Sequence, residues 1–263
     1  MSLHAAETLC LASAISLISY RMKWLTALGA LSQFALGALL YGLGRWQWTL
    51  PVLVFFLSSS LLTRLGSNRK REPSRAFSKG GTRDAMQVAA NGGIGGALVV
   101  AWALTGADLW YLAYLSSVAA SAADTWATEV GLLSGTAPVL ITTLRPVRRG
   151  TSGGISLGGT SAGIAGAAVV ALSALPWIHG EYRVLLLVIL SGVAGLTADS
   201  ILGAAFQRQF LCQGCGQVTE NESHCAGFRG VPDRGIRWLD NDLVNLAASL
   251  TAALAGGILS RFL

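Results

Sequence analysis

The sequence predicts an all-α, polytopic integral membrane protein of about eight transmembrane helices, folded as a single membrane domain over residues 1–263. Three observations lead there. Of the 263 residues, 52% are hydrophobic and only 12% charged, with a mean hydropathy of +0.55, which leaves too little polar surface for a soluble domain. The apolar residues fall in runs close to the roughly 20 residues that cross a hydrocarbon core. The basic residues sit almost entirely in alternate loops.

The first run, 3–20, has no basic leading region and is followed by further runs rather than by a soluble segment, so it reads as a retained helix and not as a signal peptide. Nothing Arg-rich and Ser-rich precedes it to suggest an organelle transit peptide, and a bacterial or archaeal inner membrane is the expected address. Runs 25–43 and 49–65 follow, separated by a short connection holding Arg45. Run 88–104 carries Gly92, Gly93, Gly95 and Gly96. Run 109–133 holds Asp124 and Glu129. Run 157–178 carries Gly158, Gly159, Gly163 and Gly166, and small residues of this kind let helix backbones approach closely in lipid. Run 184–206 holds Asp199, and run 243–259 is opened by Asp242.

Cytoplasmic loops near span ends carry an excess of Lys and Arg. With both chain ends placed outside, sixteen of the 19 basic residues fall on the inner side and only Arg45, Arg183 and Arg261 on the outer. The inner connections, about 66–87, 134–156 and 207–242, are also the long ones, so the chemistry is expected at the cytoplasmic face. The net charge of +6 is thereby a topological signal, and no nucleic-acid partner is expected.

Ionisable side chains at membrane depth are costly and mark function by default. At about 100° per residue, Asp124 shares a helix face with Ser117, Ser121 and Thr128, whereas Glu129 lies roughly 140° away beside Thr125. The two acids therefore need a kink or two different partners. Asp199 aligns with Gly203 and Gln207, and Asp242 with Asn245. Carboxylates and amide oxygens that converge are hard-cation ligands, suited to Mg²⁺ that keeps several waters and bridges phosphates. The plainer alternative pairs these acids with inner-face arginines or uses them as helix caps, Asp242 above all.

Residues 145–160 join Arg145, Arg148 and Arg149 to a glycine- and hydroxyl-rich stretch containing Gly150, Thr151, Ser152, Gly153, Gly154 and Ser156, directly ahead of a span. Glycines let backbone N–H groups approach an anion, hydroxyls add donors, and the helix N-terminus adds unpaired amides and a favourable dipole. The arginines offer bidentate contacts. The segment reads as a phosphate cradle or, more plainly, as a glycine-rich turn among loop arginines; no Walker motif is present. Gly154-Ile155-Ser156-Leu157-Gly158 matches the nucleophile-elbow pattern, but it precedes a membrane helix, and the only histidines are His4, His179 and His224.

Two further patterns stand out. Asp84, Gln87 and Asn91, following Arg83, form a polar stripe that enters the fourth run from the inner side and calls for a wet or ligand-filled neighbour. Cys212-x-x-Cys215 followed by His224-Cys225 permits a tetrahedral Zn²⁺ site, with free thiols as the alternative. The remaining cysteine, Cys10, is in the first run, and in a reducing compartment no stable disulfide is expected.

Four ordered motifs resemble the family of transmembrane protein 19 and plant phytyl-phosphate kinase. They are Ala123-Asp124-Thr125-Trp126-Ala127-Thr128-Glu129-Val130-Gly131, residues 148–156, Ala198-Asp199-Ser200-Ile201-Leu202-Gly203-Ala204, and Asn241-Asp242-Leu243-Val244-Asn245. The resemblance covers most of the chain from Arg83 onward. It implies an integral membrane kinase that converts an isoprenyl monophosphate to the diphosphate at the expense of a nucleoside triphosphate, CTP being the expected donor. Joined to the reading above, Asp124, Glu129, Asp199 and Asp242 are expected to hold Mg²⁺. Arg148, Arg149, Gly150, Thr151, Ser152, Gly153 and Ser156 are expected to hold phosphate, with Arg83, Asn91, Asn241 and Asn245 in support. The rivals are a CTP-dependent cytidylyltransferase acting on a lipid phosphate, a cation- or proton-coupled transporter using Asp124 and Asp199, and a scaffold with no chemistry.

Overall fold

Small and apolar residues free of proline build most of the helices. The computed structural model describes residues 3–66, 81–178, 181–225 and 228–262. Arg69, Lys70, Arg71, Arg75 and Lys79 of the first expected inner loop lie outside the described residues, as does His179. The helices are α1 Leu3–Arg21, α2 Ala27–Arg64, α3 Ala85–Thr105, α4 Leu109–Leu133, α5 Leu157–Ser173, α6 Tyr182–Ala205 and α7 Asn241–Leu259. Among the described residues α1, α2, α3, α6 and α7 are long and apolar enough to cross a membrane, and α5 is a shorter apolar helix.

The expected runs 25–43 and 49–65 are the two arms of α2. The helix breaks at Arg45, which takes the left-handed φ of 56°, and the chain reverses there. Trp24, just ahead of the first arm, consequently packs 5.8 Å from Phe56 in the second, and the Arg64 guanidinium lies 5.6 Å from the Trp24 ring. At the reversal Arg45 pairs with Glu7 of α1 at 3.4 Å. Pro51 in the second arm has no N–H to give to the Gln47 carbonyl. Tyr111 of α4 fills the gap, donating its hydroxyl to Gln47 O at 3.2 Å.

Helix starts follow from capping chemistry. Asp84 accepts from the Gln87 amide at 2.9 Å while the Gln87 side chain accepts from the Asp84 amide at 3.0 Å, a capping box that opens α3. Ser156 accepts from the Gly159 amide at 3.1 Å at the head of α5, and Asp240 from the Leu243 amide at 3.2 Å at the head of α7.

Helix α4 is the hub. Tyr114, Leu115, Val118, Ala119, Ala122 and Ala123 are almost fully enclosed by its neighbours. Close backbone approach explains the enclosure: a Cβ at Gly159, Gly163 or Gly166 of α5 would meet α4 carbonyls at 2.9, 3.0 and 2.9 Å. On α6, Gly192 and Gly195 sit in the same way against Ala119 and Ala120. These small residues draw α5 and α6 onto α4 and bring Asp124 and Asp199 to the same depth.

Among the described residues two small antiparallel sheets add to the helices. Strands β1 Val139–Leu140 and β2 Gly154–Ile155 pair within the second expected inner loop. In the third, β3 Gln209–Cys212, β4 Val218–Thr219, β5 Ser223–His224 and β6 Phe228–Arg234 form a sheet ordered β4-β3-β6-β5. Strands β1, β2, β4 and β5 are two residues long and β6 carries Gly230 and Pro232, so the sequence shows little readable alternation.

Candidate functional site

The ends of α3, α4, α6 and α7 and both sheet-bearing loops enclose a cavity of about 770 Å³. Thirteen of the fifteen expected metal or phosphate residues line it, from Arg83 and Asn91 at one side, through Asp124, Glu129 and Asp199, to Arg149, the Gly150–Ser156 segment, Asn241 and Asn245.

Asp124 and Asp199 arrive from different helices and their carboxyl groups meet in hydrogen-bond contact. Asp199 Oδ1 is buried, and no donor reaches it among the described residues. An enclosed, unpartnered carboxylate oxygen beside a second carboxyl is costly unless protons or a cation share the pair. Glu129 occupies a different wall, as its angular offset on α4 requires. It accepts from Thr63 Oγ1 at 2.6 Å and acts electrostatically on Arg83. Arg83 donates to Ser60 Oγ at 2.7 Å and lies over the Phe56 ring at 5.6 Å. Burial weakens the hold of this guanidinium on its proton, and the Glu129 charge restores part of it.

The glycine-rich segment is fixed in place by Gly153. Its φ is 76°, and a Cβ there would come within 2.5 Å of Ser200 O and 2.6 Å of Ala204 N on α6. Only glycine combines this backbone angle with so close an approach. The segment thus lies directly on the helix that carries Asp199, so the basic loop and the acidic pair share one cavity. Arg149 donates to Gly135 O at 2.9 Å, which steadies the loop.

Two expected site residues lie elsewhere. Arg148 and Asp242 are absent from the cavity wall. Asp242 is 4% exposed in the first turn of α7, while the cap falls to Asp240 and the cavity contact to Asp240 and Asn241. The four acids therefore do not share one centre. The polar stripe also divides: Asp84 and Gln87 are the capping box, while Gln87 and Asn91 face the cavity.

The cavity also contains a residue that the sequence pattern did not single out. Glu220, in the loop between β4 and β5, accepts a hydrogen bond from Ser152 and acts electrostatically on both Asp124 and Asp199. Burial pushes its pKa up to about 8, with the Asp124 charge adding to the rise. Its only signal in the sequence is a place between Cys215 and His224, in a loop whose cysteines suggested a metal and whose acids looked like solvated surface.

The same loop brings Cys212, Cys215, His224 and Cys225 together, one ligand atom of each lying within 4.8 Å of the others. Cys215 Sγ and Cys225 Sγ are 3.5 and 3.2 Å from His224 Nδ1.

The chain is 33% identical to Protein PGR of Arabidopsis thaliana, covering 96% of this chain and 95% of that protein. It is 31% identical to the uncharacterized membrane protein MJ0933 of Methanocaldococcus jannaschii, over 74% of this chain and 80% of the other. To the chloroplastic Protein VTE6 of Arabidopsis thaliana it is 26% identical, over 91% of this chain and 66% of that protein. No solved structure matches. The family model described as integral membrane protein DUF92 matches residues 10–253, which takes in every residue of the cavity, and the chain accordingly belongs to this family of multi-pass integral membrane proteins.

Proposed function

We propose that the protein is a lipid-phosphate kinase, which converts an isoprenyl monophosphate to its diphosphate with a nucleoside triphosphate, CTP in the first instance, at the cytoplasmic face. One observation carries the reading: the acidic and basic cavity shares Arg83, Gln87 and Asn91 with an apolar groove between α1, α2 and α3. Leu36, Leu40, Val52, Phe55 and Phe56 line that groove. A polar chamber joined to an apolar slot through a half-buried arginine suits an amphiphile with an anionic head and a hydrocarbon tail. The likeness to VTE6 and the motif resemblance to phytyl-phosphate kinase support the substrate class.

The chemistry asks mainly for positioning and charge neutralisation. Arg83, at the junction of groove and chamber, would hold the lipid phosphate. Arg149 and the amides and hydroxyls of Gly150, Thr151 and Ser152 would hold the nucleotide phosphates. Asp124 and Asp199 fit Mg²⁺, because the unpartnered Asp199 Oδ1 beside a second carboxyl is a hard-oxygen donor set that a dication satisfies. When bound, such an ion neutralises charge on the transferring phosphoryl group. An oxygen of the lipid phosphate attacks the terminal phosphorus, the bond to the bridging oxygen breaks, and the nucleoside diphosphate leaves. The attacking oxygen is already anionic near neutral pH, so no strong base is needed.

The test is purified protein with phytyl or geranylgeranyl phosphate, Mg²⁺ and each nucleoside triphosphate in turn, read by mass spectrometry. Isoprenyl diphosphate and nucleoside diphosphate are the expected products. A cytidylyl-lipid with released pyrophosphate would instead identify a cytidylyltransferase, and the absence of product with every donor would overturn the proposal.

A further inference from the structure

Among the described residues the loop that carries Glu220 adds no side chain to the helices' hydrophobic core, yet it presents a half-buried carboxyl to the cavity. Its four-stranded sheet is held by strands of two to seven residues, and Leu211, Phe228 and Val231 on them are exposed. Something other than apolar burial must hold it together, and the sulfur and imidazole groups at its tip have the arrangement for it. Cys212 begins a tight knuckle: its amide donates to Gln217 O at 2.9 Å, the Gly216 amide donates back to Cys212 O at 2.8 Å, and Gly216 takes a φ of 68°. The amides of Gly214 and Cys215 also point at Cys212 Sγ.

His224 and Cys225 are neighbours in sequence, and in extended backbone neighbouring side chains point to opposite faces. Here Cys225 instead adopts the left-handed φ of 45°, a region that residues other than glycine rarely occupy. That turn brings its sulfur to the same side as His224 Nδ1, 3.2 Å away. A metal with Zn–S of about 2.3 Å and Zn–N of about 2.0 Å sets its tetrahedral ligands roughly 3.5 Å apart, and the 3.5 and 3.2 Å separations at His224 are close to that.

We infer that Cys212, Cys215, His224 and Cys225 bind one Zn²⁺ ion in tetrahedral coordination, and that this ion clamps the β3–β6 sheet so that Glu220 is held against Ser152 at the cavity. The ion has no role in the reaction. Thiolate and imidazole ligands with no open position make the site structural and separate it from the oxygen-lined centre at Asp124 and Asp199.

The experiment uses the full chain purified in detergent. Elemental analysis is expected to find one zinc per chain, unchanged in Cys10→Ser and reduced to background in Cys215→Ser and in Cys225→Ser. Growth with cobalt is expected to give the thiolate-to-metal charge-transfer absorption of a tetrahedral sulfur site in the unsubstituted protein, so the assignment does not depend on variants that fold poorly. Zinc at background in the unsubstituted chain with no such absorption, or iron in its place, overturns the site. Trypsin is expected to spare Arg229 and Arg234 in the zinc-loaded protein and to cut there after chelation; identical cleavage in both states overturns the clamp. None of these measurements needs a substrate, so they fail or succeed independently of the kinase proposal.

Discussion

Asp199 has one carboxylate oxygen buried without a donor and a second carboxyl in contact. In the proposed mechanism this pair carries the cation, so Asp199→Asn and Asp124→Asn are each expected to lower kcat by roughly 10²-fold or more, the scale seen when one electrostatic stabiliser is removed from a phosphoryl- or acyl-transfer site. Asp242→Asn is expected to leave the Mg²⁺ dependence unchanged, since Asp242 lies in the packing of α7 and off the cavity wall. Steady-state assays across a Mg²⁺ titration separate the two cases. Glu220 offers a different measurement. Its folded pKa of about 8 lies above the ordinary glutamate value, so the folded state holds the proton more tightly than the unfolded chain. The resulting stabilisation is complete below the ordinary glutamate range and is lost as pH rises through about 8. Thermal unfolding between pH 6 and 9, about one pH unit or more either side of that pKa, is expected to show a decline in the unsubstituted protein that is smaller in Glu220→Gln. Asp124, Asp199 and Glu129 could be read from sequence because a charge inside an apolar run is costly and has to be explained. Glu220 could not, because an acid in a polar loop costs nothing until the fold buries it.

At the level of elements, α4 shows what hydropathy and periodicity can and cannot say. The expected run 109–133 coincides with the helix, and the offset between Asp124 and Glu129, which called for a kink or two different partners, leaves Asp124 beside Asp199 and Glu129 beside Thr63. The packing partners of α4 were not readable, because a stripe of glycines says that some backbone comes close without saying which one. The stripe on α5 allows a direct comparison. Gly163→Leu forces new atoms against Ala123 O and Leu196 and is expected to destabilise the fold by about 1–3 kcal/mol, the range for overpacking. Gly93→Leu on α3 has nothing within 4 Å of its Cβ position and is expected to be nearly silent. Unfolding titrations in mixed micelles report both. The short strands of the two sheet-bearing loops were missed for a related reason, since their pairing is fixed by turns more than by alternation.

For the whole molecule, the distribution of Lys and Arg predicts that the cavity opens to the cytoplasm and that the Arg45 reversal lies on the opposite side. A membrane-impermeant thiol reagent applied to sealed right-side-out vesicles is expected to label Glu181→Cys directly and Gly135→Cys only after permeabilisation. Labelling of Gly135→Cys in sealed vesicles would invert the proposed orientation. The sequence supplied this arrangement in outline, through span ends and loop charge, and located most of the cavity residues. It could not supply the closure of the chamber by the loop 207–240, because that contact depends on where Ser152 and Glu220 meet, 68 residues apart.

Tyr41 and Trp46, whose rings meet edge to face at 5.4 Å, line the apolar groove. From Gly29, which touches the Arg83 carbonyl, to Tyr41 the first arm of α2 rises about 18 Å. If, as proposed, an anionic head is held at Arg83, an aromatic stop at a fixed distance would make a measuring stick for hydrocarbon. Shortening the stop with Trp46→Ala should shift the preferred tail towards longer chains in a competition between prenyl phosphates of graded length, with little change in the rate on the shortest.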